Sequence, residues 1–313
     1  DRSHRGRMRF FGEKSGEALT GLTTNDVLAL RAGQGQYAAA LSAKGRIIAD
    51  VRVFASAGSY LVDAPALAFP GFLALVKKYV NPRLSGYRDD SHPVRDLGVF
   101  GAESTRIVAR LTGIAEDALR ESSAYTHTET LIDGTAVTVA RAPDIGVDGY
   151  DLFVPMDAFA AVRERALAAG GTPAGLGAWE IARVEAGRPE WGIDIDETTI
   201  PQEANFDELD AISYTKGCYI GQEVVARVHF RGHVNRHLRG LRAASSDPVP
   251  TGAQLIDDGG NHVGDVRSAV ASPRLGGISL GMVRREITPG MSLTAKWEQG
   301  ERRVDVTALP FLG

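Results

Sequence analysis

The single cysteine, Cys218, lies in the stretch with the greatest chemical potential, Tyr214–Arg227 (YTKGCYIGQEVVAR). Lys216 precedes the thiol by two residues, and Gly217 and Gly221 flank it. A nearby ammonium and a helix N-terminus both favour the thiolate, which is the form that acts as a nucleophile or a metal ligand. A lone cysteine is also commonly a small buried hydrophobe. The spacing alone leaves both roles open.

The element that must position this thiol is an amphipathic helix, which the pattern predicts directly after Gly221. Three valines share one face, and charged residues follow at i, i+4 and i+8 on the other face. Gly232 fits the end of the helix as a C-cap. The valines are Val224, Val225 and Val228, and the charged residues are Glu223, Arg227 and Arg231.

Upstream of the motif, the chain alternates between strand and helix patterns. Tyr37–Leu41 and Ile47–Phe54 read as two strands joined by a glycine-containing turn, and Phe69–Tyr79 reads as a helix. Phe10–Thr23 and Val99–Thr112 align as strand, glycine turn and helix. This short match indicates either two similar α+β units or chance.

After residue 233 the pattern changes to short strands separated by Gly- and Pro-containing turns, which predicts a small antiparallel barrel or sandwich. We therefore predict an α+β protein with lobes at residues 1–98 and 99–232 and a C-terminal β-domain at 233–313. The predicted β-domain strands are His237–Leu241, Ala253–Ile256, Val263–Ser268, Ser279–Val283, Ser292–Lys296 and Arg303–Ala308.

The composition is that of an ordinary globular chain, with 43% apolar and 24% charged residues. A net charge of −4 predicts no general attraction to nucleic acid or to an anionic membrane. One cysteine excludes an internal disulfide and suits a reducing compartment, so we expect a cytoplasmic protein. No coiled-coil pattern is present, and we expect a monomer.

The string KGCYIGQE (Lys216–Glu223), which includes Gln222, resembles the signature of the YgfZ-type folate-binding proteins. That family belongs to the glycine-cleavage T-protein (aminomethyltransferase) superfamily. GLTTNDV (Gly21–Val27), ARVEAGRPEWGIDI (Ala182–Ile195) and the stretch Val263–Val283 are similar to superfamily segments in the same order. The resemblance implies a three-lobed folate-binding architecture with a C-terminal antiparallel β-barrel.

The resemblance also implies a ligand, tetrahydrofolate or a one-carbon derivative, and residues to hold it. Glu185 corresponds to the glutamate that accepts the pterin N–H groups in a two-pronged hydrogen bond. Arg227 would orient this carboxylate or contact the folate. From chemistry alone, Glu185 is equally a solvated helix residue. Arg227 is equally half of a surface pair with Glu223, which would contribute only about 0.3–0.5 kcal/mol.

Four further residues are candidates for the same pocket. Tyr150 and Tyr219 would stack on the ligand or line its cavity, although either residue also suits a core. Asn25 and Asp26 would contribute polar groups, although both residue types commonly stabilise turns. These residues rank below Glu185 in the prediction.

For Cys218 and Lys216 the resemblance implies the family-specific chemistry at the folate cleft. YgfZ-type proteins include an iron–sulfur assembly factor, so the expected partners are iron–sulfur client enzymes or assembly factors. A stable cluster usually needs several thiolates, so one cysteine predicts no resident cluster. His229, His233 and His237 are four apart, but Gly232 interrupts a helix there, and we predict no metal site.

The chain departs from aminomethyltransferases in one respect. Those enzymes carry an aspartate after the strand that corresponds to Tyr60–Val62, and this aspartate assists transfer to a folate nitrogen. In Leu61–Pro70 the only acid is Asp63, which falls too early, and the counterpart is Ala68. We therefore expect ordinary aminomethyl transfer to be impaired.

Three functions stay open on the sequence. The favoured one is a folate-binding factor that assists assembly or repair of iron–sulfur enzymes. The alternatives are a folate-dependent one-carbon transferase and a non-catalytic scaffold that docks clients through its barrel or the basic run Arg227–Arg242. That run holds arginines and histidines without an acid, which suits either a phosphate-contacting patch or a solvated face.

Overall fold

The N-terminal strands form a five-stranded antiparallel sheet in the computed structural model, which describes residues 1–311. The strands are β1 (Gly6–Phe11), β2 (Gln34–Leu41), β3 (Ile47–Ser56), β4 (Ser59–Ala64) and β5 (Gly86–Asp89). They pair in the order β2-β3-β4-β1-β5. Helices α1 (Ser15–Leu22) and α2 (Phe69–Tyr79) belong to this lobe, and α2 packs on β3. The predicted helix at 69–79 and the two predicted strands are confirmed.

A second lobe repeats the plan with a four-stranded antiparallel sheet in the order β6-β9-β8-β7. Its apolar core lies between this sheet and its helices. The elements are β6 (Val94–Phe100), α3 (Ser104–Thr112), α4 (Glu116–Arg120), β7 (His127–Ile132), β8 (Thr135–Arg141), β9 (Gly149–Pro155) and α5 (Phe159–Ala168).

The weak internal repeat is present in the structure. In both lobes a strand ends at a glycine with positive φ, +102° at Gly12 and +107° at Gly101, and a helix begins three residues later. Because glycine alone adopts this backbone conformation at little cost, the Phe-Gly pair marks the same turn twice. The short match therefore reflects a shared local structure.

A buried cluster of charges joins the two sheets. Arg52 on β3 donates to Asp63 on β4 through Nε and Nη2, at 3.0 and 2.8 Å, and also pairs with Asp151 on β9. Burial alone would raise the pKa of Asp63, but Arg5, Arg52 and Arg7 lower it to about 2. Asp63 is thus a structural anion.

The C-terminal part forms a closed six-stranded barrel in the order β10-β13-β12-β11-β14-β15, in which every pairing is antiparallel. All six predicted strands are present, and the mixed α+β fold with a C-terminal barrel is confirmed. The elements are α6 (Leu176–Glu185), α7 (Gln222–Arg231), β10 (Arg236–Ala243), β11 (Gln254–Ile256), β12 (His262–Ser272), β13 (Gly276–Arg284), β14 (Ser292–Trp297) and β15 (Gly300–Thr307), with short 3-10 turns at Val27–Ala29 and Pro201–Ala204.

The chain groups into two compact units. Unit 1 holds both sheets together with the segment Asp207–Gln222. Unit 2 holds the barrel, helix α6 within Ala174–Phe206, and Asp144–Gly146. The boundaries predicted after residues 98 and 232 stay predictions. No helix among residues 1–311 has the length and apolar character needed to span a membrane.

Stability should depend on pH through His127, which lies on β7 with its ring 5.6 Å from that of Phe54. Burial lowers the pKa of His127 below 6.5. The neutral ring therefore contributes stability that is present above pH 6.5 and is lost as the pH falls through the folded-state pKa, because the unfolded chain binds the proton more readily. We expect the free energy of unfolding to fall between pH 7 and pH 5 more in the native chain than in His127→Phe, as measured by urea denaturation. Equal pH dependence in both proteins would contradict this.

Candidate functional site

The cysteine-containing segment of unit 1 is tied along the loop that follows α1. The Ser213 N–H donates to the Thr24 carbonyl at 3.0 Å, and the Ile220 N–H donates to the Gly21 carbonyl at 3.1 Å. The Thr24 hydroxyl donates to the Ala211 carbonyl at 2.6 Å. These bonds fix the segment on both sides of the cysteine.

Lys216 makes three further hydrogen bonds to this loop. Its ammonium donates to the carbonyls of Thr20 and Thr23 at 2.5 Å and of Asn25 at 3.1 Å, and it lies 4.5 Å from the centroid of the Tyr219 ring. Burial lowers the pKa of Lys216 to about 8. Because all three ammonium protons have carbonyl acceptors, Lys216 positions the loop. Its proposed catalytic role stays a prediction.

The side chains of Asn25 and Asp26 also form hydrogen bonds with backbone groups. The Asn25 amide donates to the carbonyls of Tyr37, at 3.1 Å, and Asp210, at 2.9 Å, so it joins β2 to the segment that precedes the cysteine. The Asp26 carboxylate accepts the Leu28 N–H at 3.1 Å and caps the short 3-10 turn. Both side chains have the turn-stabilising contacts that their residue types favour. Their role toward a ligand stays a prediction.

Cys218 is exposed, in contrast to the lysine two residues before it. The next residue, Tyr219, donates its N–H to the Gln222 side chain at 3.0 Å, and this bond closes the turn before α7. Burial, with Asp207 acting in the same direction, raises the pKa of Tyr219 to about 12. The segment therefore presents the thiol outward from a fixed turn. Across residues 1–311, no group of three or more His, Cys, Asp or Glu side chains is arranged to hold a metal ion.

The motif glycines differ in their surroundings. A Cβ on Gly217 would meet no heavy atom within 4 Å. Gly221 has a φ of +82°, and a Cβ there would lie 2.5 Å from the Ser42 carbonyl oxygen and 3.0 Å from Gly45 Cα. The turn between β2 and β3 therefore packs directly against Gly221, and only glycine fits there.

Glu185 ends helix α6 in unit 2, and its side chain is only 4% exposed. One carboxylate oxygen accepts the Ser272 hydroxyl at 2.5 Å, and the other pairs with the Arg274 guanidinium. Neither partner is evident from the sequence, because the two residues lie 87 and 89 positions further along the chain. A Ser-Pro-Arg turn after a strand carries no signal that links it to this glutamate.

Arg227 lies on α7 and pairs with Glu223 at 2.7 Å, with 66% of its side chain exposed. This is the i,i+4 surface pair that the sequence analysis weighed against a ligand role. Arg227 is in unit 2 with Glu185, but Arg227 pairs with Glu223, whereas Glu185 pairs with Arg274. A role for Arg227 in folate binding stays a prediction.

Tyr150 lies in the core of the second lobe. Its hydroxyl is 3.0 Å from the Thr105 hydroxyl and accepts a hydrogen bond from Arg141 at 3.1 Å. The ring borders a cavity of about 60 Å³, which has room for a few water molecules but not for a pterin. Tyr150 thus fills core, and its ligand role stays a prediction.

The stretch where aminomethyltransferases carry their aspartate offers no free carboxylate in the described chain. Asp63 is fully buried against arginines, as described above. Ala68 is buried at the N-terminus of helix α2. Leu61–Pro70 therefore contains one acid, and ion pairs hold it in place.

Comparisons with known proteins cover nearly the whole chain. A family model described as the GCVT N-terminal domain matches residues 1–211, and one described as the glycine cleavage T-protein C-terminal barrel domain matches residues 236–312. An aminomethyltransferase of Thermosynechococcus vestitus is 31% identical over 90% of this chain and 75% of its own length. An aminomethyltransferase of Halothermothrix orenii is 29% identical over 100% of this chain and 87% of its own.

A solved structure shows the same fold. The glycine cleavage system aminomethyltransferase T from Bartonella henselae matches 99% of this chain and 84% of its own, with a TM-score of 0.86 and 23% identity. The N-terminal model alone spans more than half of the sequence, and the barrel model covers most of the rest. The chain belongs to the glycine cleavage T-protein family.

Proposed function

We propose that this protein binds tetrahydrofolate, or a one-carbon derivative of it, and assists the assembly or repair of iron–sulfur enzymes, with Cys218 as its reactive thiol. The observation that carries the proposal is the difference in exposure between two side chains of unit 1, those of Cys218 and Asp63. Cys218 is exposed on a segment that Lys216 holds in place, whereas Asp63 is buried among arginines. The cluster itself would be cargo, because one thiolate is too few to hold it.

Family membership supports folate as the ligand, and the chemistry of Glu185 fits it. Each carboxylate oxygen has one partner, Ser272 or Arg274, and a carboxylate oxygen has room for a second donor. A pterin amide and amino group would take these two positions. Bound tetrahydrofolate supplies ring nitrogens that carry one-carbon groups. Glu185 would orient the ring, and Ser272 and Arg274 would keep the carboxylate fixed.

Aminomethyl transfer is the second candidate, and a specific observation favours it. Relatives that align over most of this chain carry the name aminomethyltransferase. Against it stands the lack of an available acid in Leu61–Pro70. Release of ammonia and folate-dependent unloading of an aminomethylated carrier protein would establish this activity. Turnover that persists in Cys218→Ala would replace the iron–sulfur proposal with the transferase.

Glu185→Gln should weaken tetrahydrofolate binding by about 10- to 100-fold, because a hydrogen bond to a charged group contributes roughly 1.5–3 kcal/mol. Calorimetric titration under reducing conditions measures this. Cys218→Ala should bind like the native chain. Arg274→Ala keeps the carboxylate and should lose less affinity than Glu185→Gln. If the native chain does not bind tetrahydrofolate, the folate proposal fails. If all three variants bind equally well, the pocket lies elsewhere.

The iron–sulfur step is tested in cells that lack this protein and carry Cys218→Ala, Glu185→Gln or the native chain. We expect iron–sulfur enzyme activities to recover with the native chain and to stay low with Cys218→Ala at equal protein level. Full recovery by Cys218→Ala would contradict the role of the thiol and leave folate binding intact. The calorimetry therefore tests folate binding, and the cellular assay tests the role of Cys218, so that either claim can be contradicted without the other.

A further inference from the structure

We propose that the C-terminal end of helix α7, with the adjoining ends of β10 and β13, is a docking surface for an acidic protein segment that carries an aromatic or aliphatic side chain. We call it the basic surface and define it by Phe230, Arg231, His233, Arg284 and Arg285. All five residues are exposed and belong to unit 2. The proposal goes beyond the folate site and does not depend on it.

Backbone contacts bring the two parts of the basic surface together. Helix α7 ends at Arg231, and the chain turns through His233 to Asn235. The Asn235 carbonyl accepts the Arg285 N–H at 2.9 Å. In the ladder of β10 and β13, Arg236 is paired with Arg284. The segment that follows Arg231 therefore runs to the end of β13 that carries Arg284 and Arg285, and it reaches the contact at Asn235 four residues after Arg231.

Two of the three arginines of the basic surface, Arg231 and Arg285, lack an acidic partner within ion-pair distance among the described residues. In contrast, Arg284 lies 3.9 Å from Glu286, and hydrogen bonds from Asn261 together with the charge of Arg284 lower the pKa of Asp257. The one acid on α7, Glu223, pairs with Arg227. The whole chain has a net charge of −4, so this local excess of positive charge runs against the overall balance. Like charges held together without partners repel, and an anionic partner relieves that repulsion.

An exposed aromatic ring, that of Phe230, directly precedes Arg231 on helix α7. Phe230 is 66% exposed, and its neighbour His229 lies edge-on to it at 4.7 Å. About two thirds of the surface of Phe230 is therefore accessible to a partner. An aromatic anchor within a charged rim is the common arrangement of protein-binding surfaces.

The same features argue against nucleic acid as the occupant. Specific nucleic-acid binding typically neutralises several phosphates, whereas Arg231, Arg284 and Arg285 supply three guanidinium groups. The net negative charge of the chain would also oppose a long polyanion. A short acidic segment with one apolar side chain matches both the number of cations and Phe230.

The test uses the full chain and two fluorescein-labelled peptides of about 12 residues each, a length that spans this patch. The two peptides have the same length and the same apolar content. One peptide places glutamates around a central phenylalanine, and the other replaces each glutamate by glutamine. Fluorescence anisotropy at low and moderate salt reports binding. The double variant Arg231→Glu/Arg285→Glu should weaken binding of the acidic peptide at least about tenfold, and Phe230→Ala should weaken it about threefold or more.

Lys296→Glu is the matched control, because Lys296 is an exposed cation on β14, a strand that pairs with neither β10 nor β13. It should change the affinity by less than about twofold. Thermal melts of all variants confirm that the fold is kept. The proposal is overturned if the acidic peptide does not bind, if both peptides bind alike, or if the control weakens binding as much as the double variant. Tighter binding of a single-stranded oligonucleotide, with a steeper salt dependence, would assign the surface to nucleic acid instead.

Discussion

Replacing Gly221 by alanine is expected to destabilise the protein by roughly 3 kcal/mol or more. The backbone at Gly221 has a φ of +82°, which costs an L-residue about 1–3 kcal/mol. The new methyl group would also lie 2.5 Å from the Ser42 carbonyl oxygen and 3.0 Å from Gly45 Cα. Both are backbone atoms of the β2–β3 turn, so no side chain can rotate away to relieve the overlap. Chemical denaturation with urea measures the loss.

Gly217→Ala is the control within the same motif. A methyl group there meets open space, and the φ of Gly217 does not lie in the left-handed region. The free energy of unfolding should therefore change by no more than about 0.5 kcal/mol. If the two substitutions had equal effects, the turn between β2 and β3 would not be packed on Gly221 as described. The comparison separates a glycine that packing requires from one that packing does not require.

Arg52→Met should cost about 3–5 kcal/mol, because it removes one partner from a buried charge cluster and keeps the volume. The Arg52 side chain is 2% exposed and contacts Asp63 and Asp151, which are fully buried. Without this guanidinium, carboxylates from both sheets of unit 1 would lack compensation. Urea denaturation at pH 7 measures the effect.

Arg165→Met is the matched control for this loss. Arg165 pairs with Asp133, and both side chains are about half exposed. An exposed pair contributes little, so the change should stay below about 1 kcal/mol. If Arg52→Met destabilised the protein no more than Arg165→Met does, the carboxylate partners of Arg52 would be hydrated or would rearrange. The charge cluster would then contribute little to holding the two sheets together.

The sequence by itself determined the local elements of this protein. Helix Phe69–Tyr79, the helix after Gly221 and the six barrel strands follow from apolar periodicity and from Gly and Pro in the turns. The repeat of Phe-Gly before a helix left two similar units or chance open, and the structure shows the same turn in both lobes. These features depend on neighbours a few residues apart, so a single chain reveals them. The motif KGCYIGQE indicated the superfamily for the same reason.

Only the tertiary structure decided what most charged side chains do. The Lys216 ammonium binds carbonyls more than 190 residues earlier in the chain, and no local pattern indicates these contacts. Asp63 is held by Arg52 on β3 and by Arg5, which precedes β1, and Glu185 is held by a turn of the barrel. Desolvation and ion pairing depend on which residues from distant parts of the chain are in contact. The spacing of residues along the chain does not indicate these contacts.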